Sequence, residues 1–202
     1  MSEPTNAGIE APLQVDLTPS MTGPFGFGRI PVAKVWPVIE GGAYPAKAVV
    51  GELIPIRAKV FREGHDAVNA SVILTSPEGV ESRTDMTPGA IAGLDEWEAW
   101  VRPDSEGSWT FRVEGWSDPW GTWHHNAEAK LAAGIDLELV CLEGRDLFER
   151  TAANADAAGE PVEASILRAT AQLLIPQRKA SDLLEVANGA GLAAAMKAYG
   201  PR

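Results

Sequence analysis

Residues 94–123 read LDEWEAWVRPDSEGSWTFRVEGWSDPWGTW, and this stretch holds six of the chain's seven tryptophans. Trp97, Ala99 and Val101 alternate with Glu96, Glu98, Trp100 and Arg102, the period-two pattern of a strand with one buried face. The run from Pro103 to Gly107 is a turn. Trp109, Phe111 and Val113 then alternate with Thr110, Arg112 and Glu114. At Ser117-Asp118-Pro119 the period changes. Aspartate is a good N-cap and proline suits the first helical position, so a helix is expected to start here. The chain reads as β before this point and as α after it, almost to its end.

The same alternation recurs upstream. Ile54, Ile56, Ala58 and Val60 alternate with Pro55, Arg57, Lys59 and Phe61. Ala70, Val72 and Leu74 face one way in the next strand, which Ser76-Pro77-Glu78-Gly79 closes. Val80 to Met86 reads as a short edge strand and Thr87-Pro88-Gly89 as a turn. Residues 29–39 are β-rich, but Pro31 and Pro37 cannot donate to a sheet ladder, which predicts an edge strand or a strand start. Gly41-Gly42 is a turn. Residues 1–27 are rich in Pro, Gly, Ser and Thr without periodicity and read as a disordered tail. About six short strands separated by turns point to a β-sandwich of the immunoglobulin or fibronectin type. Such a sandwich normally has one strand more, so its last strand is expected to be missing.

Downstream, four helices are expected. The first runs to about Ala132 and ends at Gly134. Asp136 should cap the second, whose apolar stripe includes Leu137, Val140, Cys141, Leu147 and Phe148, with Leu139, Leu142, Asp146 and Glu149 also at helical spacing. A third spans about Val162 to Leu174, carries Ile166, Leu167, Ala169 and Leu173, and is stopped by Pro176. Ser181 or a neighbour should cap the fourth, which Gly189 and Gly191 kink or split, at about 1 kcal/mol each relative to alanine. The expected fold is therefore α+β: a tail (1–27), an immunoglobulin-like antiparallel sandwich without its last strand (28–117), and a four-helix bundle (118–202).

Composition narrows the function. A formal charge of −11 repels nucleic acid and anionic membranes and is compatible with a neutral substrate such as a sugar. The single cysteine, Cys141, excludes an internal disulfide framework and fits a reducing compartment. No apolar run approaches the ~20 residues of a membrane span, and no secretory signal is visible. The expected location is the cytoplasm.

Most catalytic signatures fail. Gly23, Gly26 and Gly28 lack the strand and helix that a dinucleotide fingerprint requires, and Gly-x-Ser-x-Gly is absent. His65, His124 and His125 do not have the spacing of a zinc site, and adjacent His124 and His125 point to different sides of a helix. Glu96 and Glu98 read as a solvated strand face rather than a glycosidase pair. Cys141, in the apolar run LELVCLEG, reads as a buried structural thiol. No catalytic residue, metal or cofactor is therefore assigned. The tryptophans admit two readings. Trp97, Trp109, Trp116, Trp120 and Trp123 suit either a sugar-stacking platform or core and the seam between sandwich and helices, and the seam is favoured. Trp120 and Trp123 share a helical face. Trp100, on the opposite strand face from Trp97, is the best single candidate for an exposed, sugar-stacking aromatic.

Three pieces in order carry a family resemblance: Val60-Phe61-Arg62-Glu63-Gly64-His65-Asp66, Gly115-Trp116-Ser117-Asp118-Pro119 and Ala133-Gly134-Ile135-Asp136. From about Gly28 to Arg202 the chain resembles the N-terminal region of the α-1,4-glucan:maltose-1-phosphate maltosyltransferases of the α-amylase superfamily. The resemblance implies an immunoglobulin-like domain with a helical insert, then a catalytic barrel downstream in a longer protein. The insert would precede the last sandwich strand, which accounts for the missing one. The resemblance also implies a homodimer built through the sandwich and the helices, with maltose 1-phosphate and α-glucan met only through the barrel. All catalytic residues of the family lie on that barrel, so none transfers to this chain. The expected role is dimerisation and framing of the active site. Its candidate contact residues are Arg62, Glu63, His65 and Asp66, with Trp116, Trp120, Trp123, His124 and Lys130. A hydrogen-bonded loop is the competing reading of Arg62 to Asp66. The alternative function is a free-standing carbohydrate-binding module using exposed tryptophans.

Overall fold

A computed structural model of the chain describes residues 29–91 and 93–202. The expected tail lies outside the described residues. The fold is α+β, with seven strands in two antiparallel sheets and five α-helices among the described residues. The chain divides into two compact units. One takes residues up to Phe61 and Ala70–Gly115; the other takes Arg62–Asn69 and Trp116–Arg202.

The first unit is built from β1 (Val32–Trp36), β2 (Ile54–Val60), β3 (Val68–Thr75), β4 (Glu81–Asp85), β5 (Thr87–Pro88), β6 (Glu96–Val101) and β7 (Thr110–Ser117). The ends of β3 and β7 run on into the second unit. One sheet has the order β1-β2-β6-β5 and the other β4-β3-β7. Alternation in β2 and β6 places Ile56, Ala58 and Val60 with Trp97, Ala99 and Val101 in the core, paired in register from Ile54↔Val101 to Lys59↔Glu96. The indole N–H of Trp97 donates to the Val60 carbonyl at 3.0 Å, so the buried ring is satisfied as well as packed.

Two details depart from simple alternation. In β3 every residue from Ala70 to Leu74 is buried, because its second face is roofed by charged side chains. Arg83 pairs with Glu114 at 2.7 Å, Arg112 with Glu114 at 2.9 Å, and Arg112 with Glu81 at 2.6 Å. Long aliphatic stems cover apolar surface while their heads stay in water. The segment expected as a turn at Thr87-Pro88-Gly89 contributes the two-residue β5, paired with Glu98 and Trp97. A short edge strand ending in proline is a poor template for further pairing. β1 is likewise an irregular edge strand, with its register broken between Ala33 and Trp36.

The second unit contains α1 (Pro119–Ala133), α2 (Leu137–Ala157), α3 (Pro161–Leu173), α4 (Ala180–Ala187) and α5 (Leu192–Tyr199). The expected fourth helix is thus two. Gly191 has φ +81° between them, a left-handed backbone that glycine adopts without a Cβ penalty. Gly134, at φ 69°, ends α1 as expected. Two cap expectations fail. Asp136 holds the N-cap position of α2 but makes no capping hydrogen bond; its carboxylate pairs with Lys130 at 3.2 Å instead. Ser181 lies inside α4, whose N-cap is Lys179. The core of this unit gathers Trp123, Ala127 and Leu131 from α1, Val140, Cys141, Leu147 and Phe148 from α2, Leu167 and Ala171 from α3, and Leu183 and Met196 from α4 and α5. Among the described residues no helix is long and apolar enough to cross a membrane.

Candidate functional site

The most organised polar cluster lies in the helical unit, where the chain enters α1. Asp118 is its hub. One carboxylate oxygen accepts from the Gly121 N–H at 2.8 Å, capping α1. The other accepts from the Asn69 side-chain amide at 2.7 Å. The Asp118 N–H donates to the Ala67 carbonyl at 2.9 Å, and the Ala67 N–H donates to the Thr122 hydroxyl at 2.8 Å. Gly121 is needed here: a Cβ on it would lie 2.6 Å from an Asp118 carboxylate oxygen. The segment 62–69 is thereby stitched to the start of α1.

Arg62 extends the cluster. It pairs with Asp66 at 2.9 Å and donates to the Ser117 hydroxyl at 3.1 Å. These side chains line an open cleft of about 420 Å³, whose lining also includes Asn126 from α1 and Glu143, Asp146 and Arg150 from α2. Arg150 pairs with Asp146 at 3.0 Å, one helical turn apart. Two guanidinium groups face four carboxylates in the lining, Asp66, Asp118, Glu143 and Asp146. That balance disfavours an anionic ligand. Ser117 accepts from an arginine rather than facing a base, so the cluster is arranged to hold the loop rather than to attack a substrate.

Of the remaining candidates, Trp123 also lines this cleft; the others fall elsewhere. Glu63 and His65 are exposed. Trp123 is buried, and its indole N–H donates to the Val140 carbonyl at 3.0 Å. Trp120 is half-buried, its ring centroid 5.6 Å from Trp123 and 4.8 Å from His124. His124 Nε2 lies 3.0 Å from the Asn188 side-chain oxygen and Nδ1 3.8 Å from Glu128. The Arg202 guanidinium sits 4.7 Å over the Trp116 ring. Lys130 is held by Asp136, as described. Trp100 lies in the two-sheet unit and is exposed. Cys141 is buried; burial pushes its thiol pKa up, against a smaller opposing effect of Arg145.

The sequence pointed to Arg62, Asp66 and Trp123 at this cleft but not to Asn126, Glu143, Asp146 and Arg150. Only the Asp146/Arg150 spacing of four residues carried a signal. The others meet the motif through the crossing of α1 and α2, which no local pattern encodes.

The family model described as α-1,4-glucan:maltose-1-phosphate maltosyltransferase, domain N/S, matches residues 28–202. The chain is 51% identical over 133 residues to α-1,4-glucan:maltose-1-phosphate maltosyltransferase 2 of Streptomyces coelicolor, covering 66% of this chain and 20% of that protein. It is 43% identical over 160 residues to maltosyltransferase 1 of the same organism, covering 79% and 23%. A Mycolicibacterium smegmatis maltosyltransferase is 38% identical over 178 residues, covering 74% and 25%. The matched stretch thus spans about a quarter or less of the length of these curated relatives. A family match that takes in every described residue is decisive: the chain belongs to the domain N/S family of the α-1,4-glucan:maltose-1-phosphate maltosyltransferases.

Proposed function

We propose that this chain is the non-catalytic, assembly-forming segment of a longer cytoplasmic maltosyltransferase, an enzyme that moves maltosyl units from maltose 1-phosphate to α-1,4-glucan. Its tasks there are homodimerisation and framing of the active site. The transfer itself takes place on a catalytic barrel in another part of the protein, and the two-sheet unit is the immunoglobulin-like domain that carries the helical insert.

The observation that supports this reading is the surface of α3. Val162, Ile166 and Leu173 are 65%, 60% and 41% exposed. With Ala169 they form one stripe along the helix. Ala164, Leu167 and Ala171, on another side of the same helix, fill the core. An exposed apolar stripe on a helix that already has a buried face is a docking surface. A second copy of the chain is the fitting occupant. At a formal charge of −11, two copies repel each other wherever charged surfaces meet, and an uncharged stripe is where they approach at least cost.

A free-standing carbohydrate-binding module is the weaker reading, because the matched relatives are far longer and are named as transferases. The test of the non-catalytic assignment is phosphate release from maltose 1-phosphate in the presence of glucan. The chain alone gives none under this proposal; measurable turnover overturns it.

A further inference from the structure

The four-stranded sheet carries a second exposed feature that neither dimerisation through α3 nor the polar cluster uses. Trp36 on β1 stands opposite Arg57 on β2. Arg57 stands opposite Glu98 on β6, and Pro55, two residues away on the same face, stands opposite Trp100. Trp36 is 45% and Trp100 50% exposed, on the face opposite the buried Ile56, Ala58, Trp97 and Ala99. The Arg57 guanidinium lies 5.7 Å from the Trp36 ring centroid and pairs through Nε with one Glu98 oxygen. The other Glu98 oxygen accepts from the Trp100 indole N–H at 3.2 Å. Trp36, Arg57, Glu98 and Trp100 are thus one connected row across three strands. From ordinary strand spacing and rise, the two tryptophan backbones are about 12 Å apart.

We propose that this row is a binding surface for an α-1,4-glucan chain, with the two indoles as stacking platforms and the Arg57–Glu98 pair as the hydrogen-bonding element between them. The identity of the sugar polymer rests on the maltosyltransferase reading above. It departs from the expectation that glucan is met only through the barrel. Indole faces match the apolar faces of pyranose rings, and both rings are held by polar partners rather than free to turn. The pair between them remains open: the Arg57 side chain is 59% and that of Glu98 31% exposed. A docking protein would have to strip water from this ion pair, a cost its Coulombic attraction does not reliably offset, and interface cores are depleted of charge. Sugar hydroxyls donate and accept, so they replace that water partner for partner. The row is formally neutral, and Glu98 opposes a phosphate-bearing ligand.

The test is affinity electrophoresis of the 202-residue chain in native gels cast with amylose, with a soluble β-1,4-glucan, or with no polysaccharide. Retardation in amylose alone is expected. Trp36→Ala and Trp100→Ala should each weaken it about tenfold, the effect of losing one buried aromatic anchor. Circular dichroism and melting temperature confirm that each variant is folded, and Glu98→Gln, which keeps the indole contact, should weaken retardation less than either alanine. Absence of retardation in every gel overturns the surface but leaves the α3 and turnover tests standing. Retardation in the β-1,4-glucan equal to that in amylose overturns the α-glucan assignment. Unchanged retardation in the folded tryptophan variants places binding elsewhere, and a changed oligomeric state in them without any effect on retardation makes the face a protein contact; either overturns the proposal.

Discussion

Gly144 of α2 lies directly under the Trp123 indole of α1. A Cβ on Gly144 would come within 2.5 Å of Trp123 Cζ2 and 2.6 Å of Leu174 Cδ1. The same indole donates to Val140, one turn earlier on α2. The missing side chain is what lets the ring lie against the α2 backbone. Alanine is the better helix former by about 1 kcal/mol, so propensity alone predicts that Gly144→Ala stabilises. Overpacking costs about 1–3 kcal/mol in a close-packed core, and here it meets an indole anchored to the backbone and the buried Leu174 side chain. The expected outcome is a lower urea midpoint with an unchanged m-value. Combined with Trp123→Phe, which removes the nearest clashing atom but leaves Leu174, Gly144→Ala should cost less than it does alone; additive effects would mean that the two residues do not oppose each other.

Asp118 yields a second prediction. It caps α1 and holds Asn69, so Asp118→Ala removes acceptors from both partners. The loss of the cap alone is about 0.5–2 kcal/mol. Asp118→Asn keeps an acceptor for the Gly121 N–H and should recover most of that. Equal destabilisation by the two variants, measured by chemical denaturation, would contradict the capping role.

The charged roof over β3 predicts an acid sensitivity. The hydrogen bond from Arg112 holds Glu81 below its usual value of 4.5. For Glu114, burial pushes the carboxyl up, but hydrogen bonds from Arg112 and Arg83, with their charges, outweigh it and leave the group low as well. A carboxylate with a depressed folded pKa contributes stability that is complete above its unfolded pKa and is lost as pH falls through the folded one. Stability should therefore decline as pH drops from about 5 through the depressed carboxylate range. Arg112→Met should flatten that decline while leaving the melting temperature near neutrality only slightly lower, since both partners are solvent-exposed. An identical acid profile in the variant would show that these pairs do not drive it.

Much of this architecture was legible in the sequence, and the reasons are local. Period-two alternation found β2 and β6 because one face of each is buried. Asp118-Pro119 and Gly134 marked both ends of α1, since capping and left-handed geometry depend on single residues. What escaped has a common physical cause in contacts between distant segments. Ile166 and Leu167 are both apolar, and no local pattern decides which side of α3 packs inward; only its pairing with α2 leaves Leu167 buried and Ile166 exposed. The inward turn of Trp123 toward Gly144, and the reach of Arg62 to Ser117, likewise join residues that no short pattern links. At Asp136 the residue type pointed to a cap, but the Lys130 ammonium competes for the same carboxylate. Trp100 was visible as the outward partner of Trp97, whereas Trp36 was not, because the broken register of β1 hides which way it faces.

The central claim is self-association through the exposed α3 stripe, and sedimentation velocity of the 202-residue chain over a range of concentrations tests it most directly. The account predicts a concentration-dependent dimer, and a folded monomer for the double variant Ile166→Glu, Leu173→Glu, whose surface positions leave the core intact. A monomer at every concentration for the unaltered chain, or a dimer that persists unchanged in the double variant, would contradict it.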